Sequence, residues 1–150
     1  MARDITMTTE LPARPEHVWR ALTEPAALAE WLMPVEGFEP VPGRRFRLRA
    51  APMPGWDGVV NCEVLEVDAP RRLSYKWQGS RMRTATVVTW TLTSLPDGRT
   101  RLHLHHDGFT GLAGSLLALM HRGGWRKFLT AQLPNHLARH PGHADIDSTP

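Results

Sequence analysis

The residues best suited to chemistry in this chain are its histidines. His106 precedes Asp107 at the end of an alternating run, and an imidazole directed into an apolar interior can protonate or orient a carbonyl. The commoner use of such a residue is a hydrogen-bonded place in the core, and that is the expectation here. His103 and His105 stand two apart on one strand face, a spacing that suits two metal ligands, but Arg101 shares that face and no third ligand is close in sequence. His136 and His140 stand four apart on a helical segment, with His143 beyond. That pair can take up zinc adventitiously, yet near a fraying C-terminus no metal site is expected. Cys62 falls mid-strand between Val, Asn and Glu neighbours, as a small buried thiol does. Glu66 and Asp68 share a face without implying a paired-carboxylate mechanism, and there is no glycine-rich phosphate loop. No catalytic residue, metal or cofactor is assigned.

Composition bounds the frame that must hold these groups. The chain has 150 residues, 41% hydrophobic and 22% charged, which suits one domain, placed at 1–140, with 141–150 expected to be a disordered tail. One cysteine excludes an internal disulfide and a multi-thiolate metal site. The net charge is +3, and Arg44-Arg45-Phe46-Arg47-Leu48-Arg49 looks basic enough to meet nucleic acid. Its Arg residues alternate with Phe46 and Leu48, however, which is the pattern of a strand with one solvated face, so nucleic-acid binding is not expected. The most apolar stretch, 111–120, is far shorter than the ~20 residues that span a bilayer. Membrane insertion is therefore not expected. Residues 1–10 lack the apolar run of a signal peptide, and a cytoplasmic location is expected.

Periodicity supplies the elements. Residues 4–11 alternate as a strand. Pro15 and Pro25 each open a short helix carrying Val18, Trp19 and Leu22, then Leu28, Trp31 and Leu32. Strand patterns follow at 45–50, 58–68, 71–78, 83–94 and 99–107, with Asp97-Gly98 as a hairpin turn. Trp125, Leu129, Leu133 and Leu137 form an apolar stripe on a C-terminal helix, which Pro134 should kink or restart. The expected fold is α+β, a helix-grip. A curved antiparallel sheet wraps a long C-terminal helix, with two short helices after the first strand.

Alternation then sorts the rings. One sheet face collects Phe46, Leu48, Leu73, Tyr75, Trp77, Val88, Trp90, Leu92, Leu102, Leu104 and His106, with Trp125 and Leu129 above them. Most must be core. A subset with polar tips could line an apolar cavity between sheet and helix. The expected ligand-binding residues are Trp31, Phe38, Phe46, Trp56, Tyr75, Trp77, Trp90, His106, Phe109, Met120 and Trp125. Trp31 and Trp56 are placed near the mouth, and Tyr75 and His106 are the groups that would orient a polar end. Residues 111–120 are apolar nearly all round and should be buried on more than one side, against a ligand, a lid or a second subunit.

The texts Val18-Trp19-Arg20-Ala21-Leu22-Thr23, Leu28-Ala29-Glu30-Trp31-Leu32-Met33-Pro34 and Val64-Leu65-Glu66-Val67-Asp68-Ala69-Pro70 are followed by Leu73-Ser74-Tyr75-Lys76-Trp77, Val88-Thr89-Trp90-Thr91-Leu92, His106-Asp107-Gly108-Phe109 and Gly124-Trp125. In this order they resemble the activator-of-heat-shock-protein-90-ATPase homologues of the START / Bet v 1-like (SRPBCC) superfamily. The resemblance implies the helix-grip fold and binding of a hydrophobic small molecule of lipid, polyketide or aromatic type. Two alternatives stay open. One is a polyketide cyclase/aromatase-like enzyme using His106. The other is a chaperone-associated or homodimeric interaction module using the surface of residues 112–120.

Overall fold

The structure is a computed structural model, and it describes residues 4–80 and 82–140. The expected tail at 141–150 lies outside them. Seven antiparallel strands form one sheet in the order β1-β7-β6-β5-β4-β3-β2. They are β1 Ile5–Leu11, β2 Val35–Glu36, β3 Arg45–Arg49, β4 Val59–Asp68, β5 Arg72–Gly79, β6 Thr86–Ser94 and β7 Thr100–Asp107. The first strand returns to pair with the last, with Ile5 opposite His106 and Leu11 opposite Thr100.

Helices α1 (Pro15–Thr23) and α2 (Pro25–Trp31) follow β1, each with proline in its first turn, where the missing N–H costs no hydrogen bond. At the other end of the chain α3 (Gly111–Lys127), a π turn (Phe128–Gln132) and α4 (Leu133–Arg139) run on as one helical segment. Pro134 is met here by widening rather than by a break. The N–H of Leu133 reaches back to the carbonyl of Phe128, and α4 then starts with proline near its N-terminus. The stripe survives, because Trp125, Leu129, Leu133 and Leu137 are all buried.

The inner sheet face is the one alternation names. Phe46, Leu48, Leu73, Tyr75, Trp77, Val88, Trp90, Leu92, Leu102, Leu104 and His106 are each at most 5% exposed. Two details escape periodicity. The two-residue β2 pairs with β3, Val35 opposite Leu48. In β4 the register slips between Val64 and Glu66, leaving Leu65 exposed, so the alternation changes phase within the strand.

The first half of α3 departs from expectation. Only Gly114 and Ala118 are buried there, while Leu112 is 92% exposed and Leu116, Leu119 and Met120 are about 60% exposed. The inward stripe is Gly114, Ala118, His121 and Trp125, spaced at helical intervals. Small residues at its start bring the backbone close to Phe109, and a Cβ on Gly114 would lie 2.9 Å from the Phe109 carbonyl carbon. The helix settles on that small face and turns its leucines outward.

Candidate functional site

His106 sits on β7 between Ile5 of β1 and Val88 of β6, with no exposed surface. The indole N–H of Trp125 donates to its Nδ1 at 2.9 Å. Its Nε2 lies 2.7 Å from the Thr86 hydroxyl oxygen, and that hydroxyl donates its only hydrogen to the Trp77 carbonyl at 2.7 Å. The Nε2 must therefore carry the proton and donate to Thr86. The ring is a neutral Nε2–H tautomer with both nitrogens engaged. Burial first, then the neighbouring His121 and His105, push its pKa down to about 2.

His121 extends the network from α3. Its Nδ1–H donates to the Leu117 carbonyl at 2.8 Å, which leaves Nε2 to accept the indole N–H of Trp77 at 3.2 Å. Burial holds this imidazole below its ordinary value as well. A third indole, Trp90, donates to the Tyr75 hydroxyl at 2.9 Å, and burial pushes that phenol up. Three tryptophans of the interior thus each find an acceptor, as a buried N–H must.

The rings themselves form a continuous path. Phe38 meets Phe46 at 4.8 Å between ring centres, and Phe46 meets Tyr75 at 5.2 Å. Beyond the Tyr75–Trp90 hydrogen bond, Trp90 meets Trp125 at 5.4 Å and Trp125 meets Trp77 at 5.2 Å. His106 meets Phe109 at 4.7 Å, and Phe109 meets His121 at 5.3 Å. Trp31 lies deep rather than at the mouth, edge-on to Trp90 and Phe128, with its N–H on the Ala21 carbonyl. The structure therefore brings the expected residues together, apart from two. Trp56 is half-buried, with its N–H on the Val59 carbonyl, and Met120 faces outward on α3. Thr86 and His121 were not among the expected residues. The 114/118/121/125 spacing could have revealed His121; Thr86 carries no such signal.

A concavity of about 130 Å³ opens beside this network, lined by residues that include Thr86, Gly108, Phe109, Gly114 and Leu117. Other concavities lie over the charged outer face of β3–β5, around the 95–98 hairpin, and between α2 and α4. Cys62 is buried, and burial pushes its pKa far above the ordinary thiol range, which disfavours the nucleophilic thiolate. His103 is taken up by the Thr8 hydroxyl at 2.8 Å, while His105 stands 3.2 Å from Asp4.

The sequence family described as activator of Hsp90 ATPase homolog 1-like protein matches residues 12–138. The chain belongs to this family. A crystal structure of a family-like fold, protein MLL2253 from Mesorhizobium loti, is 35% identical, with a TM-score of 0.78 over 91% of this chain and 97% of that one. DynU16, a protein of the dynemicin biosynthetic locus, is 24% identical, with a TM-score of 0.74 over 92% of this chain and 48% of that one. The Aha1 dimer from Colwellia psychrerythraea is 19% identical, with a TM-score of 0.69 over 86% and 91%. No curated protein matches the chain. The fold is that of the SRPBCC superfamily, a fold that binds small ligands. No helix among the described residues is long and apolar enough to cross a membrane.

Proposed function

We propose that this family member binds a hydrophobic small molecule between its sheet and C-terminal helix, entering beneath the first two turns of α3. The observation that carries the reading is the hydrogen-bonded aromatic cluster of Trp77, His106, Phe109, His121 and Trp125, which borders a concavity under α3. Drug-sized ligands occupy roughly 300–1,000 Å³, more than that concavity holds, so α3 must move outward as the ligand enters. Its light inner face makes that inexpensive: Gly114 and Ala118 bury little surface there. Apolar rings supply contact area, and Trp77 and Trp125 offer indole N–H groups once His121 or His106 turns aside. DynU16 comes from a biosynthetic locus, in keeping with a lipid-, polyketide- or aromatic-type ligand, although its likeness bears on the fold alone.

An acid–base role for His106 fits this geometry poorly. An imidazole that already accepts from Trp125 and donates to Thr86 is a positioning residue for the rings around it. We place the protein in the cytoplasm, where the thiol of Cys62 stays reduced.

Titration with anilinonaphthalene sulfonate tests the reading. One probe per chain should bind and quench tryptophan emission, and Leu117→Glu, which puts a charge in the lining of the concavity, should weaken binding at least tenfold. Unchanged binding in Leu117→Glu would overturn it. Exposed leucines on α3 favour a second reading, in which this face meets another copy of the chain. Leu116→Glu with Leu119→Glu should then convert a dimer to a monomer in sedimentation, and a wild-type monomer at high concentration would refute the pairing.

A further inference from the structure

The groove between α2 and α4 holds a second cluster that the ligand reading does not use. His136 and His140 lie one turn apart on the last helix, and Glu30 of α2 reaches both. His136 Nδ1 is 2.6 Å from Glu30 Oε1, and His140 Nε2 is 2.9 Å from Oε1 and 3.2 Å from Oε2. The three ligand atoms lie within 4.8 Å of one another. An ionised carboxylate only accepts, so each facing ring nitrogen carries its proton toward Glu30. The hydrogen bond from His136 holds the Glu30 carboxyl below its ordinary value.

We propose that Glu30, His136 and His140 form a binding site for a divalent transition-metal ion of the zinc class. Two imidazoles and one carboxylate are the donor set of an open zinc site, with the fourth position left to water. Bonds of about 2.0–2.1 Å put tetrahedral ligand atoms roughly 3.3 Å apart, so the 2.6 Å spacing of His136 from Glu30 must widen by about 0.7 Å and the 2.9 Å spacing of His140 by about 0.4 Å. Glu30 and His140 have the freedom to do so, with side chains 35% and 53% exposed. His136, 6% exposed, is held in place by its packing and pre-pays the ordering of one ligand. For the metal to bind, each neutral ring shifts its proton to the other nitrogen by exchange with water, and the facing nitrogen then gives its lone pair to the ion. The groove, lined also by His17, Arg20, Glu24 and Arg139, gives solvent access to the open position. Arg139, 3.4 Å from Glu30 Oε1, competes for the same oxygen and is exposed enough to swing away. The ion would staple α4 to α2, elements separated by more than a hundred residues of chain.

The test uses untagged protein, Zn²⁺ alone as probe and a chelating dye as competitor, in mildly alkaline buffer. One equivalent of Zn²⁺ should bind and raise the thermal midpoint. Glu30→Gln and His140→Ala, both at accessible side chains, should each lower affinity tenfold or more and abolish the thermal shift. Substitution at the other His/Asp cluster, His105→Gln with Asp107→Asn, should leave both unchanged. No stoichiometric binding, equal affinity in Glu30→Gln and His140→Ala, or loss in the His105/Asp107 variant would each overturn the site.

Discussion

A single imidazole organises the interior of this protein. His106 accepts from an indole that would otherwise be buried without a partner, and it donates to the Thr86 hydroxyl that itself donates to the Trp77 carbonyl. Replacing it with Ala removes both bonds and opens a cavity among the rings, so His106→Ala should destabilise by about 2–4 kcal/mol in urea unfolding. Its protonation sets a second expectation. The folded-state pKa of about 2 lies below the ordinary 6.5, so as pH falls below 6.5 the unfolded chain takes up a proton that the folded chain refuses. This stabilising contribution is complete above pH 6.5 and is lost on acidification. Stability should fall by about 1.4 kcal/mol per pH unit for this group alone between roughly pH 6 and 5. His121 is shifted in the same direction and steepens the slope. Urea midpoints measured across that window check it, and His106→Gln should flatten the profile.

The elements differ in how firmly they are held, and α3 shows it most clearly. Gly114 and Gly123 occupy the same helix with opposite surroundings. A Cβ at Gly114 meets the Phe109 backbone at 2.9 Å, whereas one at Gly123 meets nothing within 4 Å. Gly123→Ala should therefore gain up to about 1 kcal/mol from helix propensity, while Gly114→Ala should lose about 1–2 kcal/mol through overpacking. Thermal unfolding of the pair separates the two. Period-2 alternation was enough to name the inner face of β3, β5, β6 and β7, because every second residue there is apolar. It does not carry one face along β4, where the bulge at Leu65 shifts the phase. It could not place the leucines of α3 either, since an all-round apolar segment does not say which side the neighbouring small residues will choose.

At the scale of the whole molecule, the site is assembled from distant parts of the chain. Thr86 reaches His106 across neighbouring strands, and Glu30 meets His136 and His140 across more than a hundred residues. Short-range spacing found the histidines of both groups but not their partners, because a partner on another element leaves no mark at fixed sequence distance. The tryptophans behave alike: their burial follows from composition, while the depth of Trp31 depends on how α2 packs beneath the π turn. This assembly makes the indole N–H groups local reporters. Trp77 and Trp125 donate to His121 and His106 in the cluster beside the proposed entry, while Trp19 lies on α1. The most direct measurement is a ¹⁵N–¹H spectrum of the six indole groups during titration with anilinonaphthalene sulfonate. Saturable shifts are expected at Trp77 and Trp125 with Trp19 unmoved. Shifts confined to Trp19, or a saturated probe that leaves Trp77 and Trp125 in place, would contradict the reading.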